Sequence, residues 1–117
     1  HNTEMFFNGK KLIAVPYDFD HSGLVNAYYA KPNPMLKISS VTERVYRGLC
    51  RRDPQIFNTV RNLYISKEEA IFNTLNKYEN NLNTKEFARL TQYIQSFYNI
   101  IKSDNEFKLN IISKCRG

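Results

Sequence analysis

Carboxylates and an imidazole come together in one short stretch, Pro16-Tyr17-Asp18-Phe19-Asp20-His21-Ser22-Gly23. A hard cation such as Mg²⁺ takes oxygen ligands and is held by one or two carboxylates together with substrate phosphates. In extended chain, side chains two apart point to the same side, so Asp18 and Asp20 would reach a single ion together. The competing reading is local: aspartates in turns bond neighbouring backbone N–H groups and need no ligand. His21 could serve there as a base or a ligand, although a single histidine in a polar turn reads more simply as a hydrogen-bonding surface residue. No Ser-His-Asp or Cys-His arrangement is legible, because Cys50 has no base beside it in the sequence.

The second set of chemically able residues is basic. The formal charge is +6, and residues 41–65 carry five arginines against two acids. Arg44, Arg47, Arg51 and Arg52 account for most of that excess. They read as an anion-facing surface, with Gly48 allowing close backbone approach, or as a solvated helix face. A nucleic-acid surface would interleave exposed aromatics with the charges, and Tyr46 alone is near, so nucleic acid is not the expected partner.

Cys50 and Cys115 are too few and too far apart for a CxxC metal site. Two readings stay open: a disulfide closing a long loop in an oxidising compartment, or two buried free thiols.

The elements that must position these residues follow from punctuation and period. Glu4–Phe7 and Lys10–Val15 are β-prone and flank Asn8-Gly9, which predicts a hairpin with a type I′ turn. Leu12 to Val15 is a continuous apolar run, as in a strand covered on both faces. Pro16 ends it, and Leu24 to Ile38, with Pro32 and Pro34, reads as irregular with a short helical turn at Val25–Tyr29.

Ser40-Val41-Thr42-Glu43 has the form of a capping box and predicts a short helix through Leu49. Asp53-Pro54 predicts a second helix, with Ile56, Phe57, Val60, Leu63 and Tyr64 on its apolar face. Ser66 with Glu69 opens a third, striped by Ile71, Leu75 and Tyr78. Thr84 caps the longest, where Phe87, Leu90, Ile94, Phe97, Tyr98 and Ile101 recur at helical spacing. Ser103 with Glu106 opens the last, carrying Phe107, Ile111, Ile112 and Cys115.

The stretch Val15-Pro16-Tyr17-Asp18-Phe19-Asp20-His21-Ser22-Gly23-Leu24-Val25-Asn26-Ala27, with Tyr29-Ala30 and the later Arg44-Val45-Tyr46-Arg47-Gly48-Leu49-Cys50, resembles the C-terminal region of a family of largely uncharacterised bacterial proteins. The likeness covers roughly residues 12–52 and leans towards an exported, periplasmic protein. A looser resemblance is to the protein-kinase-like fold, including the spore-coat kinases. There a catalytic-loop Asn precedes a hairpin that ends in Asp-Phe-Gly, and the Asn and Asp ligate Mg²⁺. That resemblance implies Asp18 as principal ligand, Asn2 as the second and Asp20 as an auxiliary, with ATP as the nucleotide. Asp20 stands where kinases have Gly. The catalytic-loop Asp, the nucleotide-binding Lys and a glycine-rich loop would all lie before His1.

The expected fold is therefore α+β and mainly α: an N-terminal hairpin packed on a bundle of about five helices. Residues 1–40 would supply hairpin, acidic turn and irregular segment, and residues 41–117 the bundle. The whole would form a single domain or the C-terminal fragment of a larger protein. The partners expected are a nucleotide and the missing N-terminal part of the same protein. No apolar run approaches the roughly 20 residues that span a bilayer.

Overall fold

The computed structural model describes residues 3–117. It is α+β and mainly α, with one two-stranded antiparallel sheet and four α-helices among the described residues. The chain divides into two compact units, one ending at Arg44 and the other running Val45–Gly117.

In the first unit β1 (Thr3–Phe7) pairs with β2 (Leu12–Pro16), Thr3 opposite Pro16 and Phe7 opposite Leu12. The connection is Asn8-Gly9-Lys10-Lys11, two residues longer than the Asn-Gly type I′ turn expected. Only Gly9 takes positive φ, at 84°, while the Asn8 side chain accepts the N–H groups of Lys10 (3.1 Å) and Lys11 (3.0 Å). Asn8 thus acts through its amide oxygen, as an Asx-turn does, and not through its backbone. The register differs from the two-residue hairpin by an even number of residues, so every side chain keeps its face. Phe6, Ile13 and Val15 share one face, and Met5, Phe7, Leu12 and Ala14 the other.

Among the described residues of the first unit neither face is covered. All ten strand residues are exposed, the large apolar ones from Ile13 at 37% to Phe7 at 66%. The expectation of a strand buried on both faces is therefore not met by this chain, although its apolar residues are of the kind such strands carry. Beyond Pro16 come turns and one short 3₁₀ turn, Pro34–Leu36, whose first N–H groups are capped by Asn33 accepting from Met35 at 2.9 Å.

The helix expected from Val41 to Leu49 does not form. Glu43 does reach back, as a capping box requires, and accepts the N–H of Ser39 (2.7 Å) and Ser40 (3.0 Å). It closes a turn with no helix behind it. The following residues are drawn into extended pairing with the C-terminus instead: Cys50 N–H donates to Arg116 at 2.8 Å, and Arg116 N–H to Gly48 at 3.0 Å. A parallel bridge joins Leu49 to Arg116, and Cys50 is disulfide-bonded to Cys115. The free-thiol reading is thereby overturned.

The helices are α1 (Gln55–Ser66), α2 (Glu68–Asn76), α3 (Thr84–Lys102) and α4 (Asp104–Asn110). Asp53 accepts the Gln55 N–H at 2.9 Å and Pro54 leads into α1, in line with the sequence signal. Ser66 does not open α2. It ends α1, and its hydroxyl donates back to the Leu63 carbonyl, leaving Lys67 alone between the helices. Asn83, not Thr84, caps α3 by accepting from Glu86 N–H, and Ser103 caps α4 by the same contact to Glu106.

The core lies where α3 meets α4: Tyr98, Ile101 and Phe107 are buried, with Phe57, Ile65, Ile71, Phe72, Ile94, Phe97, Ile111 and Ile112 packed around them. Tyr98 is fully enclosed, its phenol donating to the Tyr64 carbonyl of α1 at 3.1 Å. Burial raises its pKa above the ordinary tyrosine value, with Glu68 adding to the effect. The α1 stripe is less buried than its spacing predicts, since Ile56, Val60, Leu63 and Tyr64 remain 44–57% exposed.

Candidate functional site

The acidic turn begins where β2 ends. Asp18 adopts left-handed backbone, φ 57°, so the chain turns here and does not run on extended. Aspartate tolerates that conformation better than most residues. The two carboxyl groups nevertheless converge, through the turn and not through strand alternation: Asp18 and Asp20 are hydrogen-bonded to each other.

Two like charges so close cannot both be held at ordinary cost. The hydrogen bond to Asp20 and that neighbour's charge raise the Asp18 pKa, while the charge of His21 pulls against them. Asp20 is pushed up by partial burial. The hydrogen bonds from Asp18, Tyr29 and the His21 N–H outweigh that, and its pKa is lowered. The pair is thus split, with Asp18 shifted up and Asp20 shifted down from the ordinary carboxylate range.

Asp20 is the hub. It accepts the His21 backbone N–H at 2.8 Å and the Tyr29 hydroxyl at 3.1 Å, and the His21 imidazole stands 3.9 Å away. His21 and Tyr29 also meet edge to face at 5.9 Å. Sequence reasoning missed Tyr29 as a member of this group, because a separation of nine residues follows no helical or strand period. The turn between them makes the contact: Ser22 N–H donates to Phe19, Asn26 N–H to Ser22, and Asn26 itself takes φ 52°.

The donor set is hard oxygen, which suits Mg²⁺ or Mn²⁺ completed by phosphate oxygens. Among the described residues no group of three or more His, Cys, Asp or Glu side chains could hold a metal ion by itself. Asn2, the second ligand implied by the kinase-like resemblance, lies outside the described residues.

The arginines do not share a helix face, since their segment is not helical. Arg44 closes the first unit, and Arg47, Arg51 and Arg52 belong to the second, all of them exposed. Arg47 is held by its own carbonyl, which accepts two bonds from the Arg116 guanidinium, at 3.0 and 2.6 Å. Gly48 is fixed by a near neighbour: a Cβ there would strike the Tyr46 phenol ring. Tyr46 in turn rests against Phe57 at 6.2 Å. The basic segment is therefore stapled at its backbone while its side chains remain outside.

A further arginine, Arg61 of α1, has no counterpart in the sequence reading. It pairs with Asp104 at 2.7 Å, donates to the carbonyls of Ile101 and Lys102, and lies over the Phe107 ring at 4.7 Å. These contacts cap the C-terminal end of α3, where carbonyls lack helical partners.

No family model, curated protein or solved structure matches the chain. No helix is long and apolar enough to cross a membrane among the described residues.

Proposed function

We propose that the acidic turn is the metal-binding edge of a kinase-like phosphotransfer site, with Asp18 and Asp20 as its carboxylate ligands. The observation that carries this reading is the convergence of the two carboxyl groups at the end of the hairpin, where they share a hydrogen bond at the cost of like-charge repulsion. A divalent cation would relieve that repulsion and favour the ionised form of both carboxyls. When bound with nucleotide, such an ion neutralises charge on the phosphate oxygens. The chain's own part is to orient the pair: Tyr29 and the His21 N–H hold Asp20, and the left-handed backbone at Asp18 turns its carboxyl towards it.

The remaining parts of such a site, a nucleotide-binding Lys and a catalytic Asp on a preceding loop, belong in this reading to an N-terminal portion of the same protein. The apolar residues on both faces of the hairpin favour that arrangement, because they have no cover among the described residues of the first unit.

The test is Mn²⁺ binding, with and without ATP, by the full-length protein and by its Asp18→Asn variant. Binding should strengthen as pH rises through the raised pKa of Asp18, and the variant should lose at least tenfold in affinity, and its turnover, with its fold intact. Unchanged metal binding and turnover in Asp18→Asn would remove the proposal.

A second reading rests on the stapled basic segment of the second unit: Arg47, Arg51 and Arg52 as a surface for an anionic partner. It predicts salt-sensitive binding lost on charge reversal of Arg47, Arg51 and Arg52 and indifferent to Asp18.

A further inference from the structure

The second unit contains an open cavity of about 550 Å³ along α1, bordered also by residues of α3, α4 and the segment before α1. That size falls within the range of small-molecule sites. Its walls are mainly apolar, with Ile56 and Val60 of α1 and Phe107 of α4 among them, and its polar side chains are the phenols of Tyr46 and Tyr64 and the guanidinium groups of Arg51 and Arg61. The two arginines differ in how far they are committed. The guanidinium of Arg61 is bound to Asp104 and to two carbonyls and is covered by Phe107. Arg51 has no hydrogen bond or ion pair among the described residues, and neither does the Tyr46 hydroxyl.

Apolar walls carrying one uncommitted guanidinium, with phenol hydroxyls beside it, suit a ligand with an apolar body and a single acidic head. Arginine accepts a carboxylate through two parallel N–H donors, which fixes the head. Burial of the body against the exposed α1 stripe supplies the rest, at a surface otherwise left to water. This explains why Ile56, Val60 and Tyr64 lie at core spacing and yet are 44–48% exposed.

We propose that this cavity binds a small amphipathic carboxylate, with Arg51 and Tyr46 taking the head and α1 the apolar body. The site is built from the second unit alone and goes beyond the metal reading of the acidic turn. Asp18 is not among its lining residues, so the two proposals fail separately.

The experiment is calorimetric titration of the full chain with decanoate and with 1-decanol, both kept below aggregation, in the wild type, Arg51→Gln, Arg51→Lys and Val60→Trp. Wild type should bind decanoate saturably and decanol roughly tenfold more weakly, the factor expected for loss of a charge-assisted hydrogen bond. Arg51→Gln should bring decanoate down to the decanol level, Arg51→Lys should restore part of the difference, and Val60→Trp should weaken both by filling the cavity. Far-UV circular dichroism and melting temperature identify any variant that has lost its fold, and Arg51, being exposed, is not expected to. Absence of saturable decanoate binding in the wild type, or equal decanoate affinity in wild type and Arg51→Gln, overturns the proposal.

Discussion

In the unit that ends at Arg44, every strand residue of the hairpin is exposed and order comes from backbone pairing and side-chain-to-backbone bonds at Asn8, Asp20, Asn33 and Glu43. In the unit Val45–Gly117, helices close over Tyr98, Ile101 and Phe107, and a disulfide ties Cys50 to Cys115. The contrast is between local hydrogen bonding and long-range burial. A two-stranded hairpin without a covered face is marginal in water, so the first unit depends on what its apolar faces meet. The second unit has its own means of stability. The candidate metal ligands thus sit on the unit with the least support of its own, and the cavity on the unit with the most.

The sharpest way to break this comparison is to truncate one aromatic residue in each unit. Tyr98→Ala should cost about 3–5 kcal/mol in urea unfolding, the range for a fully buried large residue. Phe6→Ala in the hairpin should cost about 0.5 kcal/mol or less, as exposed positions do. Equal costs would show that the hairpin is as integral as the helical core.

Loss of the disulfide comes next. Cys50 and Cys115 are 65 residues apart, and a loop of that length is worth about 4 kcal/mol in the chain-entropy account. Reduction should lower the melting temperature of the second unit and release the pairing of Gly48 and Cys50 with Arg116, read as faster amide exchange at Cys50 and Arg116. Amide exchange in the hairpin should not change.

The smallest effect belongs to Glu43. Hydrogen bonds from the Ser39 side chain, then from the Ser39 and Ser40 N–H groups, lower its pKa below the ordinary value. A depressed carboxyl contributes stability above its unfolded-state pKa and loses it as pH falls through the folded-state value. Carbon-detected titration of the Glu43 carboxyl should show the lowered midpoint, and the Ser39 and Ser40 amides should become more exchangeable only below it. A midpoint at the ordinary glutamate value would mean that this turn is not held by its side chain.

Much of this was legible because the signals are local. Asn8-Gly9 marked the hairpin, Asp53-Pro54 marked the start of α1, and the spacing from Phe87 to Ile101 marked α3 and its buried face. Other local signals were ambiguous in kind. Ser40 with Glu43 and Ser66 with Glu69 have the same capping-box form as Ser103 with Glu106, yet only Ser103 opens a helix. After Ser40 the chain closes a local turn, and further on the Gly48 carbonyl and the Cys50 N–H pair with Arg116, more than sixty residues away. At Ser66 the preceding helix had already taken the hydroxyl.

At the candidate site, the residue types of Asp18 and Asp20 were visible, but the reason given for their convergence was not the one that holds. The left-handed turn at Asp18 and the bond from Tyr29 depend on chain reversal, which no period reports.

The sequence alone determined the class, mainly helical behind a hairpin, the starts of α1 and α4, the acidic turn and the basic excess between residues 41 and 65. These follow from period, capping and charge, each of which acts within about one helical turn. Tertiary structure alone decided that Cys50 joins Cys115, that Val41–Leu49 forms no helix, that the arginines do not share a helix face, and that part of the α1 stripe borders a cavity while Phe57 and Ile65 pack on the core. Those outcomes depend on which distant backbone groups and apolar faces meet, and tertiary contacts routinely override local propensity.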